Sequence, residues 1–189
     1  CYAGEDQQAF DALFEPVRAL NPVFEHVGLM PYPSVQTLFD GLMPPGMQWY
    51  WRADFFDTLG PEVASAHREY GTSIPTPLSQ MHLYPISGAP ARVAADATPW
   101  AYRDAKYAGV IVGVDPDPAN AEKITDWCKD YWNALHPHSM GGAYSNFMME
   151  EGQDRVRASY KENYDRLVKI KSKYDPKNVF RVNQNIQPV

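Results

Sequence analysis

The sequence predicts an α+β fold, a mainly antiparallel sheet covered on one face by helices, with the other face open to a ligand or partner. Three observations carry that expectation. Runs dense in aromatic and β-branched residues recur at strand length, at residues 48–53, 78–86 and 106–115. Apolar residues with helical period lie before, between and after them. Proline and glycine clusters divide the segments, and no glycine-rich or low-complexity linker and no internal repeat intervenes.

In chain order, Cys1-Tyr2-Ala3-Gly4 reads as the end of a strand, followed by a helix from about Glu5 to Leu20. Phe10, Leu13, Phe14, Val17 and Leu20 make one face of that helix, and Pro16 kinks it or shifts its start. Ser34 can N-cap a short helix carrying Val35, Leu38 and Phe39. After Pro44-Pro45-Gly46, the strand at Gln48 to Ala53 places Gln48, Tyr50 and Arg52 on one face and Trp49 and Trp51 on the other. Pro61 suits the first turn of a helix through about Tyr70, closed by Gly71. A second strand, Leu78 to Ile86, sets Gln80, His82 and Tyr84 on a polar face and Ser79, Met81 and Leu83 on a mostly apolar one.

Within 106–115 the apolar run Ala108 to Val112 marks a central strand. Ala121, Ile124, Cys128, Tyr131 and Leu135 then define a helix of about four turns. If Tyr144 to Met148 is extended, Tyr144 and Asn146 project from the same side. Tyr160, Tyr164, Leu167 and Val168 make the inward stripe of a last helix, to about Tyr174, which Asp175-Pro176 ends. Val179 and Phe180 are expected to re-enter the core. The polar tail from Asn183 is expected to lie along a surface.

A length of 189 residues suits one domain with a real core, and 44% hydrophobic and 13% aromatic residues are those of a folded chain. No apolar run approaches a membrane span, and the net charge of −6 argues against a nucleic-acid partner. Residues 155–181 hold nine Lys or Arg against three acids, so the remainder carries about −12. A solvated helix face is the plain reading of that basic stretch, and docking against an acidic surface is the sharper one. Two cysteines exclude a disulfide framework, and the five histidines form no metal motif. Cys128 reads as a buried small hydrophobe. A cysteine at residue 1 suggests that the natural N-terminus, with any targeting segment, is missing; the expected location is soluble, cytoplasmic or secreted.

The C-terminal stretch is the most specific part of the chain. Tyr144-Ser145-Asn146, then Asn163-Tyr164-Asp165-Arg166-Leu167, Ile170-Lys171, Lys173-Tyr174-Asp175-Pro176-Lys177-Asn178-Val179-Phe180 and Asn185-Ile186-Gln187-Pro188 resemble the berberine-bridge-type C-terminal segment of FAD-linked oxidases, of the vanillyl-alcohol-oxidase-type superfamily. Looser similarity runs upstream in the same order, and only that family's C-terminal half is matched. The resemblance implies a substrate-binding α+β part at 1–143 and a berberine-bridge-type segment at 144–189, packed together. It also implies an N-terminal FAD-binding domain that these residues do not contain, as the chain has neither a GxGxxG turn nor a P-loop. The open sheet face would then look toward a flavin and substrate site.

On spacing alone Tyr144 is a buried tyrosine and Asn146 a turn asparagine. The resemblance assigns Tyr144 to deprotonation of a substrate hydroxyl beside the flavin and Asn146 to holding the cofactor side of the site. A phenol, with a reference pKa of ~10, needs activation for that role. His82, near the Ser87-Gly88 turn, falls where such oxidases place a second acid–base group. Gln80, Tyr84 and Tyr50 are candidate substrate contacts, and Arg52 reads as structural. Arg103-Asp104 reads as a structural ion pair. The activity implied is FAD-dependent oxidation of an alcohol, sugar or alkaloid-like small molecule, with the fragment alone inactive. A stand-alone, non-catalytic binding or assembly module on the same scaffold is the other class.

Overall fold

The computed structural model describes residue 2, residues 4–42 and residues 44–189, which form two compact units, Cys1–Met43 and Pro44–Val189. The strand expected at residues 1–4 falls partly outside the described residues.

In the first unit α1 spans Gln7–Arg18, its N-terminus capped by the Asp6 carboxylate, which accepts from the N–H groups of Gln8 and Ala9. Pro16 sits inside the last turn, and no residue of α1 is buried within this unit. The short α2, Tyr32–Gln36, begins with Pro31 at its N-cap, so Ser34 lies inside the helix and does not cap it. Leu38 and Phe39 follow α2 and are exposed.

The second unit is built on a three-stranded antiparallel sheet, β1 (Gln48–Phe56), β2 (Gln80–Pro85) and β3 (Tyr107–Asp115), in the order β1-β3-β2. β3 is central, and its eight residues from Ala108 to Asp115 are buried, which explains its unbroken apolar run. Strand register sorts the side chains onto two faces. Trp51 and Ala53 lie opposite Val112 and Val110, which also face Gln80 and His82. Arg52 lies opposite Ile111, which also faces Met81.

The second of these faces is covered by α3 (Pro61–Thr72) and α4 (Ala121–Leu135). α4 buries Ile124, Trp127, Cys128, Tyr131 and Leu135, the last four of which close a core with Phe56, Val63 and Ile111. A Cβ on Gly113 would stand 2.8 Å from the Cβ of Ile124, so only glycine lets α4 come this close to β3. Burial pushes the Cys128 thiol up to about 12, as a buried small hydrophobe requires.

The other face is narrower than a fully open wall. α5 (Gln153–Tyr160) and α6 (Tyr164–Tyr174) contribute Val156 and Tyr164 to a core with Ala53, Val110, Val112 and Val114. The C-terminal segment thus seals the β1 and β3 side and leaves the β2 side half-exposed. α5 and α6 are separate because Lys161 has φ of 48° and breaks the helix, although the apolar period runs across the break. Residues 140–142 close the free edge of β1, with Phe55 N–H donating to Gly142 O (2.8 Å) and Met140 N–H donating to Phe55 O (2.8 Å).

Three expectations need correction. Val179 and Phe180 do not enter the core; they are 68% and 80% exposed, while the Asp175 carboxylate holds their N–H groups at 2.8 and 3.0 Å. Leu167 is half-buried over Ala97, Thr98 and Pro99, not in the core. Arg103 stacks on Trp100 (4.5 Å) and donates to the Pro90 carbonyl (3.1 Å), with no ion pair to Asp104. The tail runs along the surface of the C-terminal segment, where Gln184 Nε2 donates to the carbonyls of Met148 (3.0 Å) and Met149 (3.1 Å).

Candidate active site

The period-2 alternation of β2 sends Gln80, His82 and Tyr84 to the half-covered face. His82 Nδ1 and Tyr84 Oη are 2.8 Å apart, a hydrogen bond that either can donate. Burial lowers the His82 pKa, which favours the neutral imidazole near pH 7.

Tyr144 and Asn146 stand on a turn, where an extended segment was expected. Ser145–Phe147 is one turn of 3-10 helix, closed by Phe147 N–H donating to Tyr144 O at 2.8 Å. The tighter backbone brings the two side chains together, so that Asn146 Nδ2 donates to Tyr144 Oη at 2.9 Å. The two segments are therefore not neighbouring strands.

They meet through Phe147. Its ring stacks on Tyr84 (centroids 5.7 Å apart, planes at 24°) and on Trp51 (6.2 Å, 21°), and Tyr144 meets it edge-on at 5.2 Å. Phe147 thus joins the His82–Tyr84 pair to the Tyr144–Asn146 pair. Sequence reasoning passed over Phe147, though its place one residue beyond the Tyr-x-Asn triplet was a usable signal. The assembled wall is open: Tyr144 is 44% and Tyr84 43% exposed.

Tyr50 does not share this wall. Register puts it on the helix-covered face opposite Gly113, where its ring lies 5.6 Å from Lys129 Nζ and its carbonyl accepts from Cys128 Sγ (3.5 Å). The period of 2 that brings Trp51 toward Phe147 necessarily turns Tyr50 away. Arg52 shares the face of Tyr50 and is structural: Nε donates to Tyr50 Oη (3.1 Å) and Nη1 to Glu151 Oε2 (2.7 Å). His136 pairs with Asp54 Oδ2 through Nδ1 at 2.7 Å.

Chemically the wall offers planar aromatic faces, neutral N–H and O–H donors and one imidazole. That donor set suits one side of a planar heteroaromatic ring such as the isoalloxazine of FAD, and not the diphosphate. No helix among the described residues is long and apolar enough to cross a membrane.

Known proteins resemble this chain in sequence and in fold. Residues 143–187 match the family model described as berberine and berberine like. The chain is 27% identical over 170 residues to an FAD-linked oxidoreductase of Dictyostelium discoideum, covering 89% of this chain and 37% of that protein. Berberine bridge enzyme-like 24 of Arabidopsis thaliana is 29% identical over 125 residues, covering 56% of this chain and 23% of its own length. Among solved structures, berberine bridge enzyme from Eschscholzia californica superposes with a TM-score of 0.77 at 18% identity, over 96% of this chain and 44% of that one. Aclacinomycin oxidoreductase does so with a TM-score of 0.74 at 21% identity, over 98% and 43%. The chain spans less than half the length of each of these proteins.

Proposed function

We propose that this chain, which is of the berberine bridge enzyme-like group of FAD-linked oxidases, builds the substrate-side wall of an FAD-dependent oxidoreductase acting on an alcohol, sugar or alkaloid-like small molecule. The observation that carries the reading is the convergence, through Phe147, of an acid–base pair on β2 with a tyrosine–amide pair on the Tyr144 turn. As the phenolate, Tyr144 would accept the substrate hydroxyl proton and become the neutral phenol. Asn146, on the cofactor side, fixes the phenol oxygen by donating to one of its lone pairs. When Tyr84 donates to His82 Nδ1, the imidazole proton stands on Nε2 and can be donated to a substrate oxygen. Gln80 lies two residues before His82 on the same face and extends the polar part of the wall. Bound against Tyr144 and Asn146, FAD would supply the acceptor for the hydride leaving the substrate carbon.

A wall this exposed cannot by itself exclude water from the reacting groups. The partner we infer is an FAD-binding domain that provides the opposite wall, together with the small-molecule substrate. In a preparation that contains flavin, Tyr144→Phe should lower kcat by ~10²–10⁴-fold while leaving KM nearly unchanged, the range for loss of a proton-transfer group. Unchanged turnover would overturn the assignment of Tyr144. His82→Ala should lower kcat less. A protein that binds its ligand but reduces no flavin would favour a non-catalytic module.

A further inference from the structure

The residues that carry Tyr144 leave the β1 edge after Gly142 and, apart from the single 3-10 turn Ser145–Phe147, return to regular structure only at α5. A proton acceptor on such an excursion must be held to within about 0.5 Å of its working position to be useful. One guanidinium reaches both ends of the excursion. Arg155 Nη1 donates to the Gly141 carbonyl (2.8 Å) and Nε donates to Glu151 Oε2 (3.1 Å). Its Nη2 donates to Asp54 Oδ1 (2.5 Å) and to the Ala53 carbonyl, both on β1. Glu151 is held in turn by Arg52 Nη1 (2.7 Å), and its other oxygen accepts from Met149 N–H (3.3 Å).

These are not surface pairs. The side chains of Asp54 and Glu151 are 1% exposed and that of Arg155 is 9% exposed. Two guanidiniums balance two carboxylates, and the Trp132 ring lies 5.1 Å from Arg52 and 5.2 Å from Arg155. Apolar side chains could fill the same space at no greater cost to stability, because desolvating charges offsets much of their attraction. What apolar packing lacks is direction. A planar fork with several fixed donors can join three backbone segments in one geometry, and a lysine ammonium cannot.

We propose that Arg155 is a positioning residue for Tyr144. By joining Gly141 and Glu151 to β1 it closes the loop 141–151 and fixes where the phenol stands for proton transfer. The assignment rests on Tyr144 being the proton acceptor.

The test begins with the chain itself, by amide exchange followed residue by residue in NMR. Arg155→Lys should speed exchange at Phe147 and Met149 by ~10-fold or more and leave β3 amides within ~2-fold, the signature of local rather than global opening. Arg157→Lys, at an exposed position of the same helix, should change neither. No acceleration at Phe147 and Met149, or equal acceleration in β3, would overturn the proposal. Should Arg155→Lys fail to fold, Glu151→Gln removes one anchor with little change of shape, and the same local pattern is expected. In the flavin-containing enzyme, Arg155→Lys should lower kcat by ~10-fold or more with KM within ~3-fold. A freed loop with Tyr144→Phe fully active would refute the proton-acceptor role and leave the loop closure standing. An inactive Tyr144→Phe enzyme with Arg155→Lys unaffected in loop and kcat would refute the positioning role alone.

Discussion

The two faces of the sheet solve different problems with the same three strands. Under α3 and α4, Phe56, Ile111, Cys128, Tyr131 and Leu135 are each 2% exposed or less. Polar groups there are incidental to packing, as where Trp127 Nε1 donates to the Tyr70 carbonyl (3.2 Å) and burial pushes the Tyr131 phenol up to about 12. On the other face the C-terminal segment seals β1 and β3, and the β2 side keeps His82 half-buried and Tyr84 open. One face is finished by the chain's own helices. The other is an unfinished wall with its aromatic and titratable groups in view, and that difference is why we propose the chemistry on the β2 side.

The comparison breaks first if the faces respond alike to truncation. Phe56→Ala, on the sealed face, should destabilise the second unit by ~3–5 kcal/mol, as deletion of a fully buried aromatic does. Tyr84→Ala, on the open side, should cost under ~1 kcal/mol, nearer the range of surface substitutions. Urea unfolding of both variants measures this, and equal losses would mean that the β2 side is as integral as the helix-covered one. Leu167→Ala falls between them at ~1–2 kcal/mol, because a half-buried leucine over Ala97 and Pro99 forfeits part of a core contribution.

Acid separates the faces again. His67 Nδ1 and Tyr131 Oη are 2.5 Å apart, Nε2 is buried with no partner, and burial lowers the His67 pKa. The unfolded chain therefore takes up a proton as the pH falls through about 6.5 while the folded chain resists it, so stability is full above 6.5 and declines as the pH drops toward the lower folded value. His82 shifts in the same direction, yet its side is half-open, so its charged form can reach water. His67→Gln should flatten the decline between pH 7 and 5 more than His82→Gln does. The reverse order would show that the β2 side is the drier of the two.

The sealed face was largely legible in the sequence, and the site only in part. The stripe Ala121, Ile124, Cys128, Tyr131, Leu135 returned α4 with its bounds, because a helix that buries one stripe must repeat it. The alternation of β2 likewise gave the face that holds His82. What stayed hidden depends on contacts between residues far apart in sequence. Arg155 read as a member of a solvated basic stretch, since nothing local says that Asp54, about a hundred residues earlier, waits for that arginine. The Tyr144 turn read as extended because Tyr-Ser-Asn-Phe has no proline or glycine to announce a 3-10 turn. Lys161 hid the break between α5 and α6, as a lysine at positive φ leaves the apolar period untouched.

The smallest effect is expected where an apolar run was read as core and is not. Asp175 accepts the N–H groups of Val179 and Phe180, Lys171 Nζ donates to Asp175 and to the Phe180 carbonyl, and the Lys171 hydrogen bond is the main reason that the Asp175 carboxyl sits below its ordinary value. Order in this turn comes from the backbone, which those polar contacts hold, while the Phe180 ring projects away at 80% exposure. Phe180→Ser should therefore change the stability of this chain by no more than ~0.5 kcal/mol, the range of surface substitutions. Urea unfolding decides it: a loss above ~1.5 kcal/mol, near the onset of buried side-chain contributions, would place the ring in a core contact and return Val179-Phe180 to the interior.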